Sequence, residues 1–293
     1  MSKELIEHFI NTKVSASDMV ETGIKGVKIF KITQPVQCAP AVYEPSVTAI
    51  VSGQKEAIWN GAKYFFDSHK YICCTMSMPI ETGTPEASPE QPLVGVYISI
   101  DSQLMTELVL EIQSVNNGMR RNKGELHPKG LLTAKWDNDF TEALNRLLLL
   151  AGNPADLAIL SKSRLRELYY TMLKGEAGFA LRRSYGVDNE IARSIEYLSS
   201  NLSKAITIDD MADYIGMSRA VLHRKFKQAT NLSPIQFVKS MRLNHAAMKI
   251  SAGINVNIAA MEVGYVSSSQ FSREFKRMFG ASPKHWMKGN TVG

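Results

Sequence analysis

Arg224 and Arg273 lie 49 residues apart, and the residues around them repeat in register. The first copy runs Ser218-x3-Leu222-x-Arg224-x-Phe226-Lys227, then Ser233-Pro234-x2-Phe237. The second runs Ser267-x3-Phe271-x-Arg273-x-Phe275-Lys276, then Ser282-Pro283-x2-Trp286. A guanidinium presents a planar fork of donors that matches the O6 and N7 acceptors of guanine, Lys supplies a point charge for phosphate, and Ser, Gln or His can meet other base edges. The chemistry on offer is recognition of a polyanion, with no bond-making step. At about 100° per helical residue, Leu222 and Phe226 share one face, while Ala220, His223, Arg224 and Lys227 fall on an arc of about 100° that avoids it. In the second copy Phe271 and Phe275 point inward, and Ser269, Ser272, Arg273 and Lys276 take the exposed arc. The free N–H groups at each helix start are a further anion-binding feature.

These faces need helices held at a fixed separation. Upstream of each copy the pattern predicts a short helix, at 208–215 and 258–263, followed by a turn at Gly216 or Gly264, which is the plan of a helix-turn-helix. Thr207 with Asp210 resembles a capping arrangement, and Ser218 and Ser233-Pro234 are helix starts. The stretch 234–251 predicts a helix of about 27 Å, a rod able to space two reading heads by roughly one turn of DNA, about 34 Å.

The charge is distributed to match. The net charge of +6 belongs entirely to residues 186–293, with 14 Lys and Arg against 8 Asp and Glu, while residues 1–185 balance at 20 each. From Ser218 onward there are 12 basic and 2 acidic residues, so only this part is expected to meet a polyanion. With 44% hydrophobic residues in 293, a disordered chain is excluded and about two domains are expected. No apolar run approaches the roughly 18 residues that span a bilayer, so no membrane association is expected. The N-terminus lacks a basic segment leading into an apolar one, and three cysteines are too few for a disulfide scaffold, so a cytoplasmic location is expected.

The first half predicts strands at 28–33, 46–52, 55–59, 62–66, 70–78 and 93–100, rich in Val, Ile, Tyr and Phe. Asn60-Gly61 predicts a tight hairpin turn, and 85–92 a loop. These strands point to a small barrel or sandwich. Residues 4–10 read as a short amphipathic segment, and helices are predicted from an Asp101 cap through Leu104, Leu108 and Ile112, at 136–150, and from Asn153-Pro154 to about Gly175. Three glycines and weak periodicity place the interdomain linker at 175–187. From Asp188 the chain is expected to be helical, with Ile191, Ile195, Leu198 and Leu202 on one face.

Competing chemistry is thin. A barrel enzyme with a bound metal needs closely spaced histidines, and His8, His69, His127, His223, His245 and His285 include no such pair. His69, Cys73 and Cys74 share one strand segment whose side chains alternate faces, which suits a tetrahedral site poorly. Cys38, Cys73 and Cys74 read first as apolar fillers, with thiol sensing of an electrophile or oxidant as the alternative. Met76, Met78 and Trp59 read as strand core, and Trp136 as packing at a helix edge. No glycine-rich phosphate loop is present, and no catalytic residue, metal site or cofactor is expected.

The second half resembles the AraC/XylS family of bacterial transcription regulators. The residues that carry the resemblance are Ala212-x3-Gly216-Met217-Ser218-x3-Leu222-x-Arg224-x-Phe226-Lys227 and Ser233-Pro234-x2-Phe237-x4-Arg242. In the second motif they are Gly264-Tyr265-x5-Phe271-x-Arg273-x-Phe275-Lys276-x2-Phe279-Gly280-x-Ser282-Pro283. The resemblance implies two helix-turn-helix units whose second helices enter successive major grooves of double-stranded DNA. It places base-contacting positions on Ala220, His223 and Arg224 and on Ser268, Ser269, Gln270 and Arg273. Arg219, Lys227, Ser272 and Lys276 complete the expected interface. Leu165, Arg166, Glu167, Leu168, Tyr169 and Tyr170, with the stretch 173–178, resemble the cupin-like N-terminal domain of a subgroup of the family. That resemblance implies a domain that binds a small-molecule effector or forms a homodimer, with RNA polymerase as a further partner and activation as the outcome. The expected fold class is α+β. Residues 1–180 form a cupin-like β-barrel with flanking helices, and residues 188–293 an all-α DNA-binding domain of two helix-turn-helix units. The alternative is a cupin-type small-molecule-binding enzyme whose basic helical domain is incidental.

Overall fold

Alternation along the strands decides the architecture of the first half. A computed structural model describes residues 3–115, 130–186, 190–204 and 206–289, with 287–289 described by backbone alone. The first half comprises α1 (Lys3–Lys13), β1 (Asp18–Glu21), β2 (Val27–Ile32), β3 (Val36–Tyr43), β4 (Ser46–Ser52), β5 (Lys55–Trp59), β6 (Ala62–Phe66), β7 (Lys70–Cys74), β8 (Met78–Thr84), β9 (Leu93–Ser99), α2 (Ser102–Val115), β10 (Leu131–Lys135), α3 (Asn138–Leu148), α4 (Pro154–Lys174) and α5 (Gly178–Tyr185). One sheet has the order β1-β2-β9-β4-β7-β10 and the other β3-β8-β5-β6, with antiparallel pairing throughout. In the larger sheet, Val27 and Ile29, Val47 and Ala49, Tyr71 and Cys73, and Val94, Val96 and Ile98 face the helices. Their neighbours Phe30, Ile50, Ile72 and Leu93 face the smaller sheet, where they meet Ala57, Phe66 and Ile80. A sheet covered on both faces needs apolar side chains at consecutive positions, which is why these strands lack a polar face.

Several expectations meet the structure directly. Asn60 and Gly61 both take positive φ, 52° and 75°, as a two-residue hairpin turn between β5 and β6 demands. Asn153 caps α4 ahead of Pro154, and the Asp101 carboxylate accepts from the Leu104 N–H at 3.0 Å at the start of α2. Trp136 packs edge-on to Phe140 and donates to the Thr141 hydroxyl at 2.8 Å.

Others are corrected. The strand expected at 70–78 breaks at Thr75–Ser77, where the chain leaves the larger sheet and begins β8 in the smaller one; Met76 is buried there, outside strand core. The linker expected at 175–187 is largely α5, with Leu181 and Tyr185 buried in the main core; residue 187 lies outside the described residues, as does Asp188. Two of the three glycines, Gly178 and Gly186, mark close packing here. A Cβ on Gly178 would overlap the Leu173 carbonyl. Gly178→Ala should therefore unseat α5 and lower stability by about 1–3 kcal/mol, seen as a fall in the denaturation midpoint. An unchanged midpoint would mean that α5 can shift freely.

The second half is α6 (Glu190–Ser200), α7 (Ile208–Ile215), α8 (Arg219–Thr230), α9 (Pro234–Ser251), α10 (Val256–Glu262), α11 (Ser268–Phe279) and α12 (Pro283–Gly289). It has two cores. Ile191, Ile195, Leu198, Met211, Leu222, Phe226, Phe237 and Met241 form one, and Leu243, Ala247, Ile250, Val263, Phe271 and Phe275 the other, with α9 contributing to both. Cys74, Met76 and Met78 from the first half enter the first of these cores, and α9 packs against β3 and β8. The Gly130 N–H donates to the Ala229 carbonyl at 3.3 Å across the same junction.

Candidate nucleic-acid interface

Each candidate reading helix begins and ends by the same local chemistry. The Ser218 hydroxyl caps α8 by accepting from the Val221 N–H, and the Ser267 hydroxyl caps α11 by accepting from the Gln270 N–H. Asn231 and Gly280, again 49 apart, close the two helices in the left-handed conformation, with φ of 57° and 76°. Upstream, Thr207 and Asp210 form a full capping box on α7. Ser233 and Gln236 form another on α9, the helix between the units.

Leu222 and Phe226 of α8 and Phe271 and Phe275 of α11 are fully buried. That fixes the rotation of each helix about its axis. Arg219, Ala220, His223, Arg224 and Lys227 are exposed on α8; Ser268, Ser269, Gln270, Arg273 and Lys276 are exposed on α11, and Ser272 is half-buried. Among the described residues neither Arg224 nor Arg273 enters an ion pair, so both guanidinium groups keep their donors available. Arg219 differs: Asp209 on α7 holds it through both Nε and Nη2.

A second set of contacts was not anticipated. Glu274 on α11 accepts from the Tyr265 hydroxyl at 2.8 Å and from the Gln270 amide at 3.2 Å, and pairs with Lys239 of α9 at 3.2 Å. Burial works against this carboxylate, but the hydrogen bonds from Tyr265, Gln270 and Lys239 outweigh it and hold its pKa below the usual range. A carboxylate can only accept, so it fixes the amide nitrogen of Gln270 toward itself. The i, i+4 spacing of Gln270 and Glu274 is the sequence signal for this pair. Arg242 donates to the carbonyls of Leu202 and Lys204, at 3.0 and 2.7 Å, tying α9 to the segment before α7.

His69, Cys73 and Cys74 do not come together as one site. The exposed His69 lies 3.1 Å from Asp67, Cys73 joins the core beneath the helices, and Cys74 joins the junction core. Among the described residues no group of three or more His, Cys, Asp or Glu could hold a metal ion; His127 lies outside them. Burial pushes the Cys74 thiol up to about 12 and raises Cys73 as well; burial and then the nearby Glu56 raise the half-buried Cys38. In each case burial favours the neutral thiol, the less reactive form. Among the described residues no helix is long and apolar enough to cross a membrane.

Comparison with known proteins matches two family models to separate stretches of the chain. A family model described as the AraC-type transcriptional regulator N-terminus matches residues 23–180, and one described as a helix-turn-helix domain matches 211–289. The raffinose operon transcriptional regulatory protein RafR of Pediococcus pentosaceus is 33% identical over 131 residues, 44% of this chain and 47% of that protein. The HTH-type transcriptional activator RhaS of Pectobacterium carotovorum is 24% identical over 162 residues, 55% of this chain and 58% of that one. The chain spans about half the length of the curated relatives it matches. Among solved structures, ToxT from Vibrio cholerae, with an unsaturated fatty acid bound, superposes with a TM-score of 0.56 at 12% identity, covering 89% of this chain and 94% of that one; the likeness is one of fold. With the N-terminal family model covering more than half of its length, and two capped helix-turn-helix units behind it, this chain belongs to the AraC-type transcriptional regulators.

Proposed function

We propose that the protein is a sequence-specific DNA-binding transcription regulator in which residues 188–293 contact successive major grooves through α8 and α11, and residues 1–180 bind a small-molecule effector or form a homodimer. The observation that carries the reading is the paired exposure of Arg224 and Arg273 on helices whose opposite faces are fully buried. Base discrimination falls to these arginines with Ala220, His223, Ser268, Ser269 and Gln270. Lys227, Lys276 and Arg219 serve phosphate contact, and Ser272 lies at the edge of the interface. The family and its relatives are transcriptional regulators, which leaves the enzyme alternative without support.

Activation through contact with RNA polymerase, and a cytoplasmic setting, complete the proposal. Effector control is supported by a crevice of about 450 Å³ between the halves, lined from one side by Glu44, Met76 and Tyr185 and from the other by Arg193 and Glu196. A molecule seated there would touch both domains, so its binding energy would depend on how they are docked.

The test is capture of genomic DNA fragments by the full chain, followed by mobility-shift measurement on the recovered sites. Failure to enrich any fragment over bulk DNA would sink the proposal. Affinity should also fall steeply with salt. If six to ten of the 12 basic residues from Ser218 onward meet phosphates, raising salt from about 50 to 200 mM should weaken binding about a thousandfold or more. A flat response would remove the electrostatic contribution.

A further inference from the structure

The two reading units differ by one inserted residue. In the first, the chain goes Gly216, Met217, Ser218 and enters α8; in the second it goes Gly264, Tyr265, Val266, Ser267 and enters α11. The hydrogen bonds identify the extra one. The Met217 N–H donates to the Ala212 carbonyl and the Tyr265 N–H to the Ala260 carbonyl, each at 2.9 Å, so Met217 and Tyr265 are equivalent. Both turn inward: Met217 packs on the first core, and Tyr265 is buried with its ring 5.2 Å from that of Phe271. Ser218 and Ser267 are equivalent as caps. Val266 has no counterpart.

Val266 is also the most exposed large apolar side chain among the described residues, at 104% of its reference area. It gives nothing to the core, and a polar residue would sit there at lower solvation cost. Its position is immediately before the N-cap of α11, beside the exposed Ser268 and Ser269. The N-terminal residues of a recognition helix are those that meet base edges in the major groove. A valine has no donor or acceptor, and the one apolar feature of the major-groove code is the thymine C5-methyl.

We propose that Val266 is a specificity residue that packs against the methyl group of a thymine at one fixed position of the DNA site. This rests on the reading of α11 as a base-contacting helix. The experiment uses the full chain and a duplex it selects from a random pool. Each thymine is then replaced singly by deoxyuridine, which keeps every hydrogen-bonding group and removes only the methyl. Wild type should lose about fourfold in affinity at one particular thymine, the equivalent of one buried methyl group (about 0.8 kcal/mol). Val266→Ser should bind both duplexes equally at that position, and Val266→Ile should keep the difference. The assignment is overturned if Val266→Ser shows the same methyl dependence as wild type, or if wild type is indifferent at every thymine. Arg273→Ala separates the two failures. If that variant holds the selected duplex as tightly as wild type, the reading of α11 itself falls. If it loses the site while the methyl dependence of Val266 is absent, only the present assignment falls.

Discussion

Arg273→Ala should reduce the ratio of specific to random DNA affinity by about fivefold to 150-fold, the 1–3 kcal/mol of one bidentate base contact. The ratio matters more than either affinity alone. Removing any exposed cation weakens binding to all DNA, because one fewer counterion is released. Only a base contact changes the preference between sequences. Arg273 is free to make such a contact, since it is exposed, on the far side of α11 from the buried Phe271 and Phe275, and outside any ion pair among the described residues. Arg219 is the internal control. Asp209 already engages its guanidinium, so Arg219→Ala should shift both affinities together and leave the ratio nearly unchanged. Mobility-shift titrations on a selected duplex and on a scrambled one decide the matter. An equal loss on both for Arg273→Ala would assign that residue to phosphate.

The part of this site that depends on helical period was legible in the sequence, and the part that depends on neighbouring elements was not. Leu222, Phe226, Phe271 and Phe275 fix which way each helix faces, and serine caps mark where it starts, so the exposed arcs follow from 3.6 residues per turn. The Asp209–Arg219 pair joins two helices across a turn, and Glu274 gathers partners from α11, α9 and the turn before α11. No single-helix periodicity contains that information. Val266 was hidden for a related reason, because a one-residue insertion disappears when the repeat is aligned on its helices alone.

In the first half the strands found from sequence are β2, β4, β5, β7 and β9, which have neighbours on both sides, and β6, which the Asn60-Gly61 turn revealed. The strands missed were β1, β3, β8 and β10. Three of these are sheet edges, and an edge strand needs less apolar surface and tolerates breakers. Thus β3 carries Pro40 and a register shift between Val36 and Ala39, and β1 is mostly exposed. The fourth, β8, is central but carries Pro79, Glu81 and Gly83, which mask its pattern. Gly83 is there because a Cβ would overlap the Val36 carbonyl oxygen on the facing strand, a reason that belongs to the partner. Met76 reads as strand core from sequence because the surface that buries it belongs to the other domain; Cys74, read as an apolar filler, is buried in the same cluster.

Phe275→Ala should melt the second reading unit while leaving the first intact. Phe275 is fully buried, with ring centroids of Phe279 at 4.7 Å, Phe271 at 5.4 Å and Trp286 at 5.8 Å. Truncating such a side chain costs about 3–5 kcal/mol, the lost transfer energy plus the cavity. The core around it is separate from the one shared by α6, α7 and α8, and the buried first-half residues at the junction join only the latter. The destabilisation is therefore confined to α10, α11 and α12, which are short helices with few other contacts, and a loss of that size is comparable to what a unit this small can supply. Hydrogen exchange should show protection lost from 256–289 and retained in 208–230. DNA affinity should drop to that of a single reading head, a larger fall than Arg273→Ala produces, and with a shallower salt dependence, because fewer phosphates are met. Phe226→Ala makes the contrast. Phe226 sits in the core that also holds Met76, Met78 and Met241, so its loss should loosen the junction between the domains as well as the first unit. If Phe275→Ala instead unfolded both units together, α9 would have to couple them as one cooperative body, and the two heads could not be treated as independent contributors to binding.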